Sequence, residues 1–209
     1  NQHPSKIATI IVCPRDDQAA PTISTAVNIH VAVATSHQHL FRSNQQNHVA
    51  VVLGAPRDVP IGKESGWITQ RQSLEAMRPR VAAEILLANQ QGGLLEGLVT
   101  NVCVVTLLEQ DKIVLQTAGM GDGVVWGTMR KRVLEACDVL GLQVVEQPPW
   151  AGERTLWKEA FLTNALRGVQ PLNRIECDVR NILGLEPWEI EFSEVPGVWT
   201  SKIQALVEA

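Results

Sequence analysis

Residues 128–140 carry the clearest helical periodicity in the sequence, and most of the chain around them reads as short strand. Met129, Val133, Cys137 and Leu140 recur at three- and four-residue spacing and share one face, while Arg130, Lys131 and Glu135 lie elsewhere. Gly141 follows as a terminator. On either side, brief apolar or β-branched runs alternate with turn-forming clusters. Residues 6–13, 23–34, 49–53, 82–88, 94–97, 99–108, 113–117 and 142–146 are predicted strands. Asn89-Gln90-Gln91-Gly92-Gly93 is a predicted hairpin turn, and residues 118–123 a glycine-rich loop. A helix over 68–77 must stop before Pro79, because proline disfavours the helical region for the residue before it. A short helix over 153–160, a strand with a turn over 161–172 and a last helix over 199–207 complete the reading. Such a strand-rich, mixed order predicts an α+β fold rather than a regular βαβ array.

The first two strands have no helix to cover them, and two strands alone do not make a stable domain. We therefore read residues 1–40 as the remnant of a small N-terminal α/β domain, part of which is expected before Asn1. The polar, amide-rich residues 41–48 read as a linker, and residues 49–209 as a larger, strand-rich C-terminal domain. His37 and His39 lack a nearby acid or thiol to complete a metal site, so they read as part of a solvated loop. A net charge of −4, with no dense Lys/Arg cluster, excludes a nucleic-acid surface. No apolar run approaches the roughly 20 residues of a membrane span. Cys13, Cys103, Cys137 and Cys177 form no C-x-x-C pair and sit among apolar neighbours. They read as buried, reduced thiols, which points to an intracellular, reducing compartment and leaves cytoplasm and organelle open.

Three local patterns carry candidate chemistry. Lys63 is one of six lysines and follows a Pro/Gly-bearing segment; an amine in such a setting, if buried, has the lowered pKa it needs to attack a carbonyl. Glu96 stands between Leu94-Leu95 and Gly97-Leu98, where an unpaired carboxylate is costly. Gly127-Thr128-Met129-Arg130 opens the clearest helix, and free amides at a helix start bind phosphate. Each has an ordinary reading as well: a surface lysine, a structural ion pair, a plain helix start. Taken in order, they match the three handles of pyridoxal 5′-phosphate: a Schiff-base lysine, a carboxylate for the protonated ring nitrogen, and a phosphate cradle.

In these residues the chain resembles the class IV aminotransferases, a family that includes branched-chain and D-amino-acid aminotransferases and 4-amino-4-deoxychorismate lyases. The family's E-G-x-x-x-N matches Glu96, Gly97 and Asn101, and the interval 96 − 63 = 33 matches its lysine-to-glutamate spacing. Its phosphate motif matches Gly127, Met129 and Arg130, and the lyases' N-A-L matches Asn164-Ala165-Leu166. The resemblance covers residues 49–209 and implies a class IV aminotransferase-like fold. It implies pyridoxal 5′-phosphate as cofactor, with Lys63 as the catalytic, covalently attached lysine and Glu96 at the ring nitrogen. Thr128 and Met129 are implied at the phosphate, with Asn164 and Ala165 closing that site.

The sequence departs from the family in four places. Gly66 and Trp67 stand where the family has asparagine and, in branched-chain members, tyrosine; this chain has no tyrosine. Thr128 replaces isoleucine in the phosphate motif, and no residue maps onto the phosphate-binding arginine of the family's N-terminal domain. The implied function is an aminotransferase or aminodeoxychorismate lyase-like enzyme acting on a small amino-acid or amino-chorismate substrate. The alternative is a catalytically inactive or truncated homologue that keeps the fold. The resemblance also implies a homodimer, and the apolar stretches 7–12 and 27–33 are expected to need a partner surface.

Overall fold

The structure is a computed structural model of the chain, and it describes residues 5–14, 27–36, 48–57, 66–178 and 180–208. Lys63, His37, His39 and the 41–47 segment fall outside the described residues. The chain divides into two compact units, Asn1–Asn44 and Gln45–Ala209.

The first unit contains β1 (Ser5–Pro14) and β2 (Val27–Ser36), an antiparallel pair running from Ser5 opposite Ser36 to Pro14 opposite Val27. Val31 on β2 is 60% exposed.

The second unit is built on one mixed sheet. Its strands are β3 (Val49–Gly54), β4 (Ala82–Ala88), β5 (Leu94–Gly97), β6 (Asn101–Leu107), β7 (Ile113–Gln116) and β8 (Gln143–Val145). Then follow β9 (Trp157–Asn164), β10 (Gly168–Pro171), β11 (Arg174–Cys177) and β12 (Trp188–Glu191). Their order is β10-β9-β6-β5-β4-β3-β11-β12, with β7 attached to β6 and β8 to β7. The β3–β4, β3–β11 and β7–β8 pairs are parallel and the others antiparallel. The architecture is α+β, as the strand-rich sequence predicts.

The sheet forks at β6. Its first residue, Asn101, pairs with Glu96 of β5, whereas Val104–Leu107 pair with β7. Residues 118–127 run from β7 to the helix that opens at Thr128, and Ala118 and Val124 pack on Leu95 of β5. The fork therefore sets the glycine-rich loop beside Glu96.

Short helices α1 (Gly66–Gln70) and α2 (Gln72–Met77) replace the single helix expected over 68–77, with a break at Arg71. Helix α3 (Thr128–Leu140) has the predicted bounds, and Gly141 at φ +65° ends it in the left-handed conformation glycine tolerates. Its packed face includes Val133, Ala136 and Cys137, set against Cys103, Val105 and Phe161 of the sheet. Arg130, expected off the apolar face, is fully buried. Helix α4 (Val198–Glu208) starts where Glu159 of β9 accepts the Trp199 and Thr200 N–H groups at 3.0 and 2.7 Å, a cap delivered from another element. A methyl group on Gly197 would collide with that carboxylate.

Two expectations need correction. The helix over 153–160 is instead a 3-10 turn (Ala151–Leu156) leading into β9. Trp157, Ala160 and Leu162 are drawn into the core beside Val102 and Val104, so pairing with β6 overrides the local helical pattern. Strands β11 and β12 were not expected; β11 lies beside β3, far away in sequence. Cys103, Cys137 and Cys177 are buried free thiols, and burial pushes them up to about 12, 12 and 11 respectively. No helix among the described residues is long and apolar enough to cross a membrane.

Candidate active site

Glu96 occupies the third position of β5, opposite Leu87 of β4 and Asn101 of β6. Its side chain is 2% exposed. Oε2 accepts the Val125 N–H at 3.0 Å. The Val125 carbonyl in turn accepts the Asn101 Nδ2–H at 2.8 Å. The first and last residues of E-G-x-x-x-N thus grip opposite sides of one residue, two positions before Gly127. Gly127 itself must be glycine for want of space: an added methyl would collide with Asn101 Oδ1. Glu96 and the start of α3 are therefore joined through a single short backbone segment.

The α3 start is suited to an anion. Gly127 is its N-cap, with no side-chain cap, and the first turn holds no acidic residue. The Lys131 N–H bonds the Gly127 carbonyl at 3.0 Å, so the first turn is formed. The amides of Thr128 and Met129 belong to the group that an α-helix cannot satisfy internally, and they carry the positive end of the dipole.

Arg130 closes the loop that leads to this turn. Its Nη2 lies 2.8 Å from both the Ala118 carbonyl and Glu146 Oε2, and its Cζ lies 4.3 Å from the centre of the Trp126 ring. Both ends of the 118–127 loop are thereby tied to one side chain. Nε and Nη1 of Arg130 are buried without a hydrogen-bond partner among the described residues.

On the other side of Glu96 stands Arg57, whose Nε is 2.9 Å from Glu96 Oε1. The contact is an ion pair without a hydrogen bond: the N–H direction misses the carboxylate, and neither buried atom has a hydrogen-bond partner among the described residues. Arg57 Nη2 reaches the Leu98 carbonyl at 3.4 Å and its Cζ lies 4.3 Å from the centre of the Trp67 ring. The Trp67 Nε1–H donates to the same Leu98 carbonyl at 2.9 Å. Burial pushes the Glu96 carboxyl above the usual carboxylate range, against the opposing pull of the Arg57 charge and the Val125 N–H. Burial likewise lowers Arg57.

The bend at 98–100 is fixed from several elements. Thr100 Oγ1 donates to Glu84 Oε2 at 3.1 Å, and Arg167 Nη1 lies 3.4 Å from that oxygen. Asn164 Nδ2 donates to the Val99 carbonyl at 3.2 Å, while Asn164 Oδ1 accepts the Leu166 and Arg167 N–H groups at 3.0 and 2.7 Å. The Asn164 side chain is thus spent on holding its own turn against the bend, with Ala165 exposed at that turn. Thr163, just before it, pairs with Asn101, so the Asn164 turn adjoins the Glu96–Val125 grip.

Among the residues singled out in the sequence, Glu96, Thr128 and Met129 are brought together through Val125, and Asn164 and Ala165 lie beside them. Sequence reasoning missed Arg57 and Trp67 as partners of this site. Trp67 was noted only for what it replaces, and nothing in the local pattern marks Arg57.

Glu96 Oε1 is a buried acceptor that takes no hydrogen bond among the described residues, with Arg57 Nε as its ion-pair neighbour, and the α3 start presents amides that the helix itself does not satisfy. A group with an N–H at one end and an anion at the other fits these residues. Among solved structures, a hypothetical aminotransferase from Mycobacterium tuberculosis in its PLP-bound form is similar, with TM-score 0.65 and 15% identity over 89% of this chain and 64% of that one. A branched-chain amino acid aminotransferase from Escherichia coli matches at TM-score 0.63 and 20% identity, covering 88% of this chain and 56% of that one. A putative 4-amino-4-deoxychorismate lyase from Legionella pneumophila matches at TM-score 0.64 and 19% identity, covering 91% and 65%. At these identities the likeness concerns the fold, and the chain spans less than two thirds of the length of each. No curated protein matches the sequence. The family profile of amino-transferase class IV matches residues 8–175, and the chain accordingly belongs to the class IV aminotransferase family.

Proposed function

We propose that this chain is a pyridoxal 5′-phosphate-dependent enzyme that moves a proton at the α-carbon of a small amino compound, as an aminotransferase or an aminodeoxychorismate lyase-like enzyme. The observation that carries the reading is the Glu96–Val125–Asn101 grip. It couples a buried carboxylate, whose Oε1 takes no hydrogen bond among the described residues, to the amides that begin α3. Glu96 Oε1 would accept the ring N–H, and a charge-assisted bond of that kind contributes about 1.5–3 kcal/mol. The Thr128 and Met129 amides would hold the phosphate, with the Thr128 hydroxyl available as a further donor. Asn164 and Ala165 would close that side of the site by positioning their turn against Val99.

When bound, pyridoxal phosphate supplies the electron sink for charge developing at the substrate α-carbon. Lys63 would hold it covalently and carry the proton away from and back to the reacting carbons. Trp67, four residues on, is fixed to Leu98 next to Glu96.

A second reading, a scaffold that keeps the fold without activity, is favoured by one observation: Arg57 already neutralises Glu96. Titration with pyridoxal phosphate decides between them. The enzyme reading expects saturable binding and a visible absorption band distinct from that of the free cofactor. An unchanged spectrum with no saturation supports the scaffold.

A further inference from the structure

Arg57 and Trp67 flank the segment that carries Lys63, yet both are fastened to the β5–β6 bend. They meet at the Leu98 carbonyl, which accepts from Arg57 Nη2 at 3.4 Å and Trp67 Nε1 at 2.9 Å. The guanidinium lies over the indole face, Cζ to ring centre 4.3 Å, and only 7% of the Arg57 side chain is exposed. A buried arginine held by an aromatic face and a carbonyl has its position set before it meets Glu96. We propose that Arg57 and Trp67 are positioning residues for Glu96: Trp67 holds the guanidinium against the carboxylate, which stays an anion able to accept a ring N–H. This rests on the cofactor reading above.

Among the described residues around Glu96, that task falls to Arg57. Leu87 faces it from β4 and Asn101 from β6, both uncharged, and the 118–127 loop offers the Val125 amide. Behind Arg57 stands Arg71, whose charge is tied to Glu75 at 3.0 Å. Burial favours the neutral acid, and the Arg57 charge and the Val125 N–H oppose it. Without Arg57 the Val125 amide alone, among the described residues, would be left to hold the charge, and a protonated carboxyl cannot stabilise a protonated ring nitrogen.

Carbon-13 NMR of the glutamate carboxyls in the cofactor-free chain, with Glu96 assigned by Glu96→Gln, tests this directly. Arg57→Gln is expected to raise the Glu96 midpoint by about one pH unit or more. Trp67→Leu should raise it part of the way, and Arg57→Lys, which keeps the charge, should largely restore it. Pyridoxal phosphate should bind Arg57→Gln about tenfold more weakly near neutral pH, following the lost anion. An unmoved midpoint in both Arg57→Gln and Trp67→Leu overturns the proposal, as does a moved midpoint with unchanged cofactor affinity. Trp67→Leu decides alone should Arg57→Gln fail to fold. A wild-type chain that binds no pyridoxal phosphate refutes the cofactor reading and is seen separately from the carboxyl midpoints.

Discussion

Glu96→Gln is expected to lower pyridoxal phosphate affinity by about 10- to 100-fold, the equivalent of one charge-assisted hydrogen bond. A glutamine oxygen can still accept the Val125 N–H, so the loop keeps its anchor. The substitution also strands Arg57, and an unpaired charge left in a buried site costs about 3 kcal/mol. Two losses are therefore superimposed, and a second substitution separates them. Arg57→Gln in the Glu96→Gln background should restore most of the stability measured by urea unfolding and none of the cofactor affinity. Unchanged affinity in Glu96→Gln would remove Glu96 from the site. Recovery of affinity in the double variant would show that the loss came from a distorted fold.

Gly127→Ala should be the most damaging conservative change in the loop. Its backbone, at φ −68° and ψ 138°, is open to alanine, so the obstacle is space rather than conformation. The new methyl would displace Asn101, break its 2.8 Å bond to the Val125 carbonyl and shift the start of α3. Overpacking together with a lost buried hydrogen bond costs about 2–3 kcal/mol. Affinity for the cofactor's phosphate should fall with it. Gly121, in the same loop, has nothing within 4 Å of an added methyl, and Gly121→Ala should stay within about 0.5 kcal/mol of wild type. Thermal unfolding and cofactor titration of the two variants side by side measure the contrast; equal behaviour would contradict the close approach at Gly127.

What was legible in the sequence was whatever local pattern decides. The α3 bounds follow from a helical apolar face and a glycine stop, and the strands from β3 to β7 from apolar runs between turns. What was illegible depends on distant partners. Residues 157–160 have helical spacing, but β6 supplies an edge to pair with, and their core contacts decide for strand. β11 is a strand because β3 lies beside it and β12 pairs with its other edge. Arg130 looks like a surface residue on a helix wheel; the Ala118 carbonyl, Glu146 and the Trp126 ring make its burial tolerable. In the same way, motif spacing singled out Glu96 and Asn101 as candidates, while their shared hold on Val125 needed the fork in the sheet. Arg57 carries no motif and is recognised only by what it touches.

The covalent role of Lys63 is the centre of the account, and one trapping experiment addresses it most directly. The full chain is loaded with pyridoxal phosphate, reduced with borohydride, digested, and its peptides analysed by mass spectrometry. The account predicts a stable pyridoxyl group on the peptide containing Lys63 and its loss in Lys63→Ala. A label on Lys112 or Lys158 instead, or no label at all, would contradict it.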